Sequence, residues 1–95
     1  METSYKVIQM DDLGAVIARA DFDNQTIELN AKIFPNLPPM AQELVMCHEV
    51  CHLKYNDHEE AATNARAIQL FMQRSTNAAD REKRKKFLET TMTTE

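Results

Sequence analysis

The chain lacks any apolar run approaching the ~20 residues needed to span a membrane. Met1 to Asp12 lacks the basic start and apolar core of a signal peptide, so the expected compartment is the cytoplasm, unless a partner or lysis carries the protein elsewhere. A basic excess is also missing. The formal net charge is −4, which argues against a nucleic-acid binder, and 43% hydrophobic with 27% charged residues argues against disorder. Glycine occurs once, at Gly14, and there is neither an internal repeat nor a linker long enough to separate domains. The 95 residues therefore predict one domain with one core, too small for two lobes around a deep cleft. Cysteine is scarce. Cys47 and Cys51 lie one turn apart on a predicted helix, which does not hold such a pair in disulfide geometry, and they read as buried core thiols.

What is present centres on His48-Glu49-Val50-Cys51-His52, an H-E-x-x-H motif. Histidines four apart on a helix project from one face, so both imidazoles can reach one zinc ion. Glu49 between them is placed to take a proton from a zinc-bound water. At roughly 100° per residue, with Cys47 at zero, His48 lies near 100°, His52 near 140° and Glu49 near 200°. Met40, Leu44, Cys47 and Cys51 form one apolar stripe, and Met46, Val50 and Leu53 another. A helix apolar on two flanks, with a histidine pair beside them, suits burial and delivery of ligands into a cleft.

Along the chain, Tyr5 to Met10 predicts a first strand and Asp11 to Gly14 a turn. Ala15 to Ala20 and Thr26 to Asn30 predict a β-hairpin about a polar turn at Asp21 to Gln25. In the second of these strands Ile27 and Leu29 should face inward, with Thr26, Glu28 and Asn30 outward. Residues 1–37 thus form a β-rich part closed by the connector Ala31 to Leu37. Pro38 and Pro39 suit the first turn of a helix over 38–55. Asn56-Asp57 breaks it, and a second helix covers 57–74. A third covers 77–90, with a capping arrangement of Asn77 and Asp80. Its only large apolar residues are Phe87, Leu88 and Met92, which predicts loose packing, a fraying end after Thr90, and a chain that still folds and binds zinc when cut after Arg74. The basic run Arg81 to Lys86 reads as a solvated face rather than a nucleic-acid contact. The fold class expected is α+β: about three strands in an antiparallel or mixed sheet, packed on two ligand-bearing helices, with a charged C-terminal helix.

A catalytic zinc site takes three protein ligands and leaves one position for water. After His52 the candidates are Asp57, His58, Glu59 and Glu60. Glu60 is favoured, because Asn64 lies one turn on and could bond the ligand carboxylate or a zinc-bound histidine. His58 is the main rival. Asp57 or Asn56 with a glutamate three residues on could instead form a capping box.

His48-Glu49-Val50-Cys51-His52 followed by Glu60-Ala61-Ala62-Thr63-Asn64-Ala65-Arg66-Ala67 resembles the small gluzincin metallopeptidases, the ImmA/IrrE-type domains and minigluzincins. Their pattern is H-E-x-x-H followed by E-x-x-A-N/D-x-x-A. The resemblance covers residues 15–72. It implies a zincin-like fold with His48, His52 and Glu60 as zinc ligands, Glu49 as general base and Asn64 supporting the ligands. It also implies a sheet whose edge strand holds substrate in extended form. Cys51, Thr63 and Arg66 depart from the glycine, alanine and aromatic residues common there, and the gap from His52 to Glu60 is short.

The expected activity is zinc-dependent peptide hydrolysis. Tyr5, Tyr55 and His58 are the candidate oxyanion donors. The expected partner is a peptide or protein substrate, with neither membrane nor nucleic acid expected and room for a protein that completes or regulates the site. The competing reading is a non-catalytic, metal-stabilised interaction module.

Overall fold

The computed structural model describes residues 4–92, as three strands and three α-helices in an α+β arrangement. Strands β1 (Lys6–Met10), β2 (Ala18–Asp21) and β3 (Thr26–Asn30) form a mixed sheet in the order β1-β3-β2. β3 pairs in parallel with β1, from Lys6 against Thr26 to Met10 against Asn30. It pairs antiparallel with β2, Ala18 opposite Leu29 and Asp21 opposite Thr26. A short 3-10 turn, Phe34–Asn36, leads into α1 (Pro39–Tyr55), followed by α2 (Glu60–Gln73) and α3 (Ala78–Met92). The expected start of the chain at residues 1–3 and the contact of Met92 lie outside the described residues and side chains; of the fraying expected over 90–95, α3 instead continues to Met92, and 93–95 lie outside the described residues.

The hairpin forms, but β2 starts and ends later than the predicted 15–20. The reason is Asn30, whose side-chain amide donates to the carbonyls of Gly14 (3.0 Å) and Val16 (2.8 Å). These bonds hold residues 14–17 as a loop against the end of β3. Asp21 then closes the turn by accepting from the backbone N–H and side chain of Asn24, and Gln25 takes the left-handed φ of 49° that the reversal needs. Thr26, Glu28 and Asn30, expected to face outward, are buried along with Ile27 and Leu29. β3 is the central strand, and its polar side chains are taken up by neighbouring segments: the Thr26 hydroxyl donates to the Asn24 carbonyl and the Asn30 amide to the loop at Gly14 and Val16. Glu28 is met by an ion pair with Arg19.

Helix α1 is the structural axis. Its two apolar stripes serve two cores. On one flank Leu53 packs with Ile27, Leu29 and Phe34, joined by Val45, Met46 and Val50. On the other, Cys47 and Cys51 pack with Ala67 and Phe71, joined by Met40 and Leu44. Pro39 sits in its first turn, and the Gln42 amide donates to the carbonyls of Phe34 and Leu37, tying the connector to the helix. Asn56 ends α1 in the left-handed conformation (φ 49°), and the Asp57 N–H reaches back to the His52 carbonyl.

Two expectations about the later helices change. α2 begins at Glu60 rather than at 57, because Glu59 is its N-cap. The Glu59 carboxylate accepts from the N–H groups of Ala61 (2.7 Å) and Ala62 (3.4 Å), which leaves Glu60 free. Nor is α3 loosely held. Within its basic run Arg84 is buried, and it donates to the Phe71 carbonyl, to both oxygens of Glu43 and to Asp80. Phe87 and Leu88 pack on the second core. The capping arrangement is present, with the Asp80 N–H bonded to the Asn77 side chain at 2.8 Å and the Thr76 N–H to Asp80 at 3.0 Å.

Candidate metal centre

His48 and His52 project from α1 with ring centroids 4.7 Å apart and planes at 81°. The turn at Asn56 folds the chain back, so that Glu60, the first residue of α2, faces them. One Glu60 oxygen lies 2.9 Å from His48 Nε2 and the other 3.0 Å from His52 Nε2. One donor atom from each of the three residues falls within 4.8 Å of the others, and this is the cluster among the described residues that could hold a metal ion.

The chemistry of the donor set fits a cation. His52 Nδ1 lies 2.7 Å from the Asp57 carbonyl, which can only accept, so Nδ1 carries a proton. Its Nε2 faces a second acceptor, the Glu60 carboxylate. A ring with acceptors at both nitrogens needs either a second proton or a metal ion at Nε2. A carbonyl on the remote nitrogen is the usual way in which a metal-binding histidine is oriented. His52 is buried, and Phe22 meets its ring edge-on at 5.9 Å. Glu60 is solvent-facing, so the site opens outward.

Glu49 lies beside His48, His52 and Glu60 without joining the cluster. It is buried, and burial pushes its carboxyl up from the ordinary range, opposed by His48 and His52 and assisted by Glu60. It lines a cavity of about 260 Å³ with Ala18, Arg19, Ala20 and Phe22 from the hairpin and with His48, His52, His58 and Glu60. A second hollow of about 440 Å³ meets the first at Ala18, His48 and Glu49, and continues past Ile17, Leu44, Val45 and Asn64. β2 runs along the first through Ala18, Arg19 and Ala20 and touches the second at Ala18; among the described residues it is an edge strand paired only with β3.

The remaining predicted residues are dispersed. His58 stacks on Phe22 at 3.8 Å, in the wall of the first cavity and outside the cluster of His48, His52 and Glu60. Asn64 borders the second hollow, and among the described residues no hydrogen bond joins it to His48, His52 or Glu60. Tyr5 lines a separate apolar cavity of about 570 Å³ on the other flank of α1. Tyr55 is at the end of α1 with Arg66 stacked on its ring at 4.4 Å. Of the three candidate oxyanion donors, His58 shares the first cavity with Glu49, whereas Tyr5 and Tyr55 line others.

Two supports escaped the sequence reading. Asp57 acts through its backbone carbonyl, which no side-chain pattern reveals. Its side chain caps the Glu59 N–H at 2.9 Å and pairs with Arg66 at 3.0 Å, and these bonds hold its carboxyl below the usual range. Thr63 is fully buried, with its hydroxyl 3.3 Å from His52 Nδ1. Its signal was a polar residue among alanines on the face of α2 that carries Glu60 and Ala67.

Comparison of the chain with protein-family models, curated proteins and solved structures finds no match.

Proposed function

We propose that the protein is a zinc-dependent peptidase of the small gluzincin type, with a zincin-like arrangement of sheet and helices. The observation that carries this reading is the convergence of His48, His52 and Glu60, with Glu49 buried beside them in the same cavity. The two imidazoles and the carboxylate would hold the ion. The chemistry a zinc ion supplies when bound is polarisation of a carbonyl and acidification of a water.

The chain's own residues account for the rest. Glu49 takes the proton of the attacking water and returns it to the leaving amine. Its burial in the wall of the same cavity as His48, His52 and Glu60 puts the carboxylate where that exchange would take place. The free edge of β2 offers backbone N–H and C=O groups to an extended peptide lying across Glu49. His58, in the same wall, is the side chain available to donate to a developing oxyanion.

The test is Glu49→Gln, which keeps the shape and removes the base. The variant should bind zinc as the parent does and lose hydrolysis of unfolded protein or a peptide library by at least ~10²-fold. Equal cleavage by the two proteins would remove Glu49 from the mechanism. Zinc held by four protein ligands, with no cleavage by either protein, would favour the non-catalytic interaction module.

A further inference from the structure

We infer that Thr63 is a positioning residue for His52, and that it selects the imidazole tautomer able to offer Nε2 to a metal ion. Thr63 has no solvent exposure. Its hydroxyl donates to the Glu59 carbonyl at 2.7 Å, so its single proton is committed. Toward His52 Nδ1, 3.3 Å away, the oxygen can therefore only accept. The Asp57 carbonyl accepts from the same Nδ1–H at 2.7 Å.

These contacts bear on a competition within one ring. Neutral imidazole carries its proton on Nδ1 or on Nε2. The Glu60 carboxylate, 3.0 Å from Nε2, draws the proton there, and a charged acceptor is a strong one. A proton on Nε2 closes the lone pair that a metal needs. Two neutral acceptors, Asp57 and Thr63, hold it on Nδ1 instead. Asp57 belongs to the turn and Thr63 to α2, one helical turn beyond Glu60. The hydroxyl thus links the orientation of His52 to the helix that carries the third member of the cluster. A threonine bonded to the carbonyl four residues back is common in helices and by itself means little. The contact with the ring of His52 distinguishes this one.

The inference rests on the metal-site reading for its purpose, but its test is separable. ¹⁵N spectra of the His52 ring in the metal-free protein, recorded for parent and variants under identical conditions, report directly which ring nitrogens carry protons. Zinc affinity is then read by chelator competition. Thr63→Val preserves shape and removes the acceptor. Its His52 should shift toward the Nε2–H form, and its zinc affinity should fall by roughly 10-fold or more. Thr63→Ser retains the hydroxyl and should restore both readouts toward the parent. If Thr63→Val does not fold, Thr63→Ala against Thr63→Ser makes the same comparison. A parental tautomer in the variant lacking the hydroxyl would overturn the inference, as would equal shifts in the variants with and without it. A parent that binds no zinc would instead overturn the metal reading, and the ring spectra would still decide the role of Thr63.

Discussion

At the residue scale, the centre separates side chains that touch a would-be ion from those that only surround it. His48, His52 and Glu60 converge, whereas His58 is held against Phe22. His48→Ala and His52→Ala should each lose the metal, while His58→Ala should retain one zinc per chain. Metal analysis of the purified variants reads this, and full zinc retention in both of the first two would refute the assignment. Asn56 makes a second case. It occupies a left-handed conformation that costs a residue with a Cβ about 1–2 kcal/mol, less for asparagine than for others. Asn56→Ala should destabilise the fold by about 1 kcal/mol, and Asn56→Gly should be neutral or better. Denaturant titration measures both, and a neutral alanine variant would show that the turn relaxes.

At the element scale, α3 is anchored by one buried cation. Arg84 donates to both oxygens of Glu43 on α1 and to the Phe71 carbonyl on α2, so three helices meet at one guanidinium. Arg84→Met should cost about 2 kcal/mol, below the ~3–5 kcal/mol of a fully buried broken pair, because the Glu43 side chain is 27% exposed. A cut after Arg74 removes this anchor and the cover that Phe87 gives Phe71 at 5.9 Å, so the shortened chain should be less stable than the parent in thermal melts. The same anchor sets a pH dependence. The hydrogen bond from Arg84 holds the Glu43 carboxyl below the ordinary range, with burial opposing, and Asp80 is lowered by the Thr76 N–H and by Arg84. A depressed folded value means that the stabilisation is complete above the unfolded value and is lost as pH falls through the folded one. The loss should therefore begin near pH 4 and deepen below it. Glu43→Gln should flatten that acid limb in melts taken across pH, and an unchanged limb would place its origin elsewhere.

At the scale of the whole molecule, α1 joins the two cores and also carries the histidine pair. Holding an ion between α1 and the start of α2 should therefore stabilise both cores together. At a zinc concentration 100 times Kd the gain is about 2.7 kcal/mol. In a domain of this size that corresponds to a Tm rise of roughly 10–20 °C. A chelator should reverse the shift in one cooperative step. A melt that zinc does not move would contradict metal binding to the folded state. Among the described residues no helix is long and apolar enough to cross a membrane.

Periodicity made much of this legible in advance. The two stripes of α1 read from the helical wheel are the two cores observed, because the angular positions of side chains on a helix follow from residue number alone. The spacing of His48 and His52 is legible for the same reason, as is the break at Asn56-Asp57. The extent of β2, the burial of Glu28 and Asn30, and the depth of Arg84 were not legible. Each depends on a partner distant in sequence: the Asn30 amide on residues 14–16, the middle place of β3 on its parallel pairing with β1, and Arg84 on Glu43. Around the candidate centre the division is the same. The residue types and their intervals along the helices are properties of the chain. The Asp57 carbonyl on His52, the Thr63 hydroxyl beside it and the stacking of His58 on Phe22 exist only once the turn has closed and the hairpin has packed across the helix. Local geometry is set by covalent spacing, whereas those contacts are set by how the elements meet.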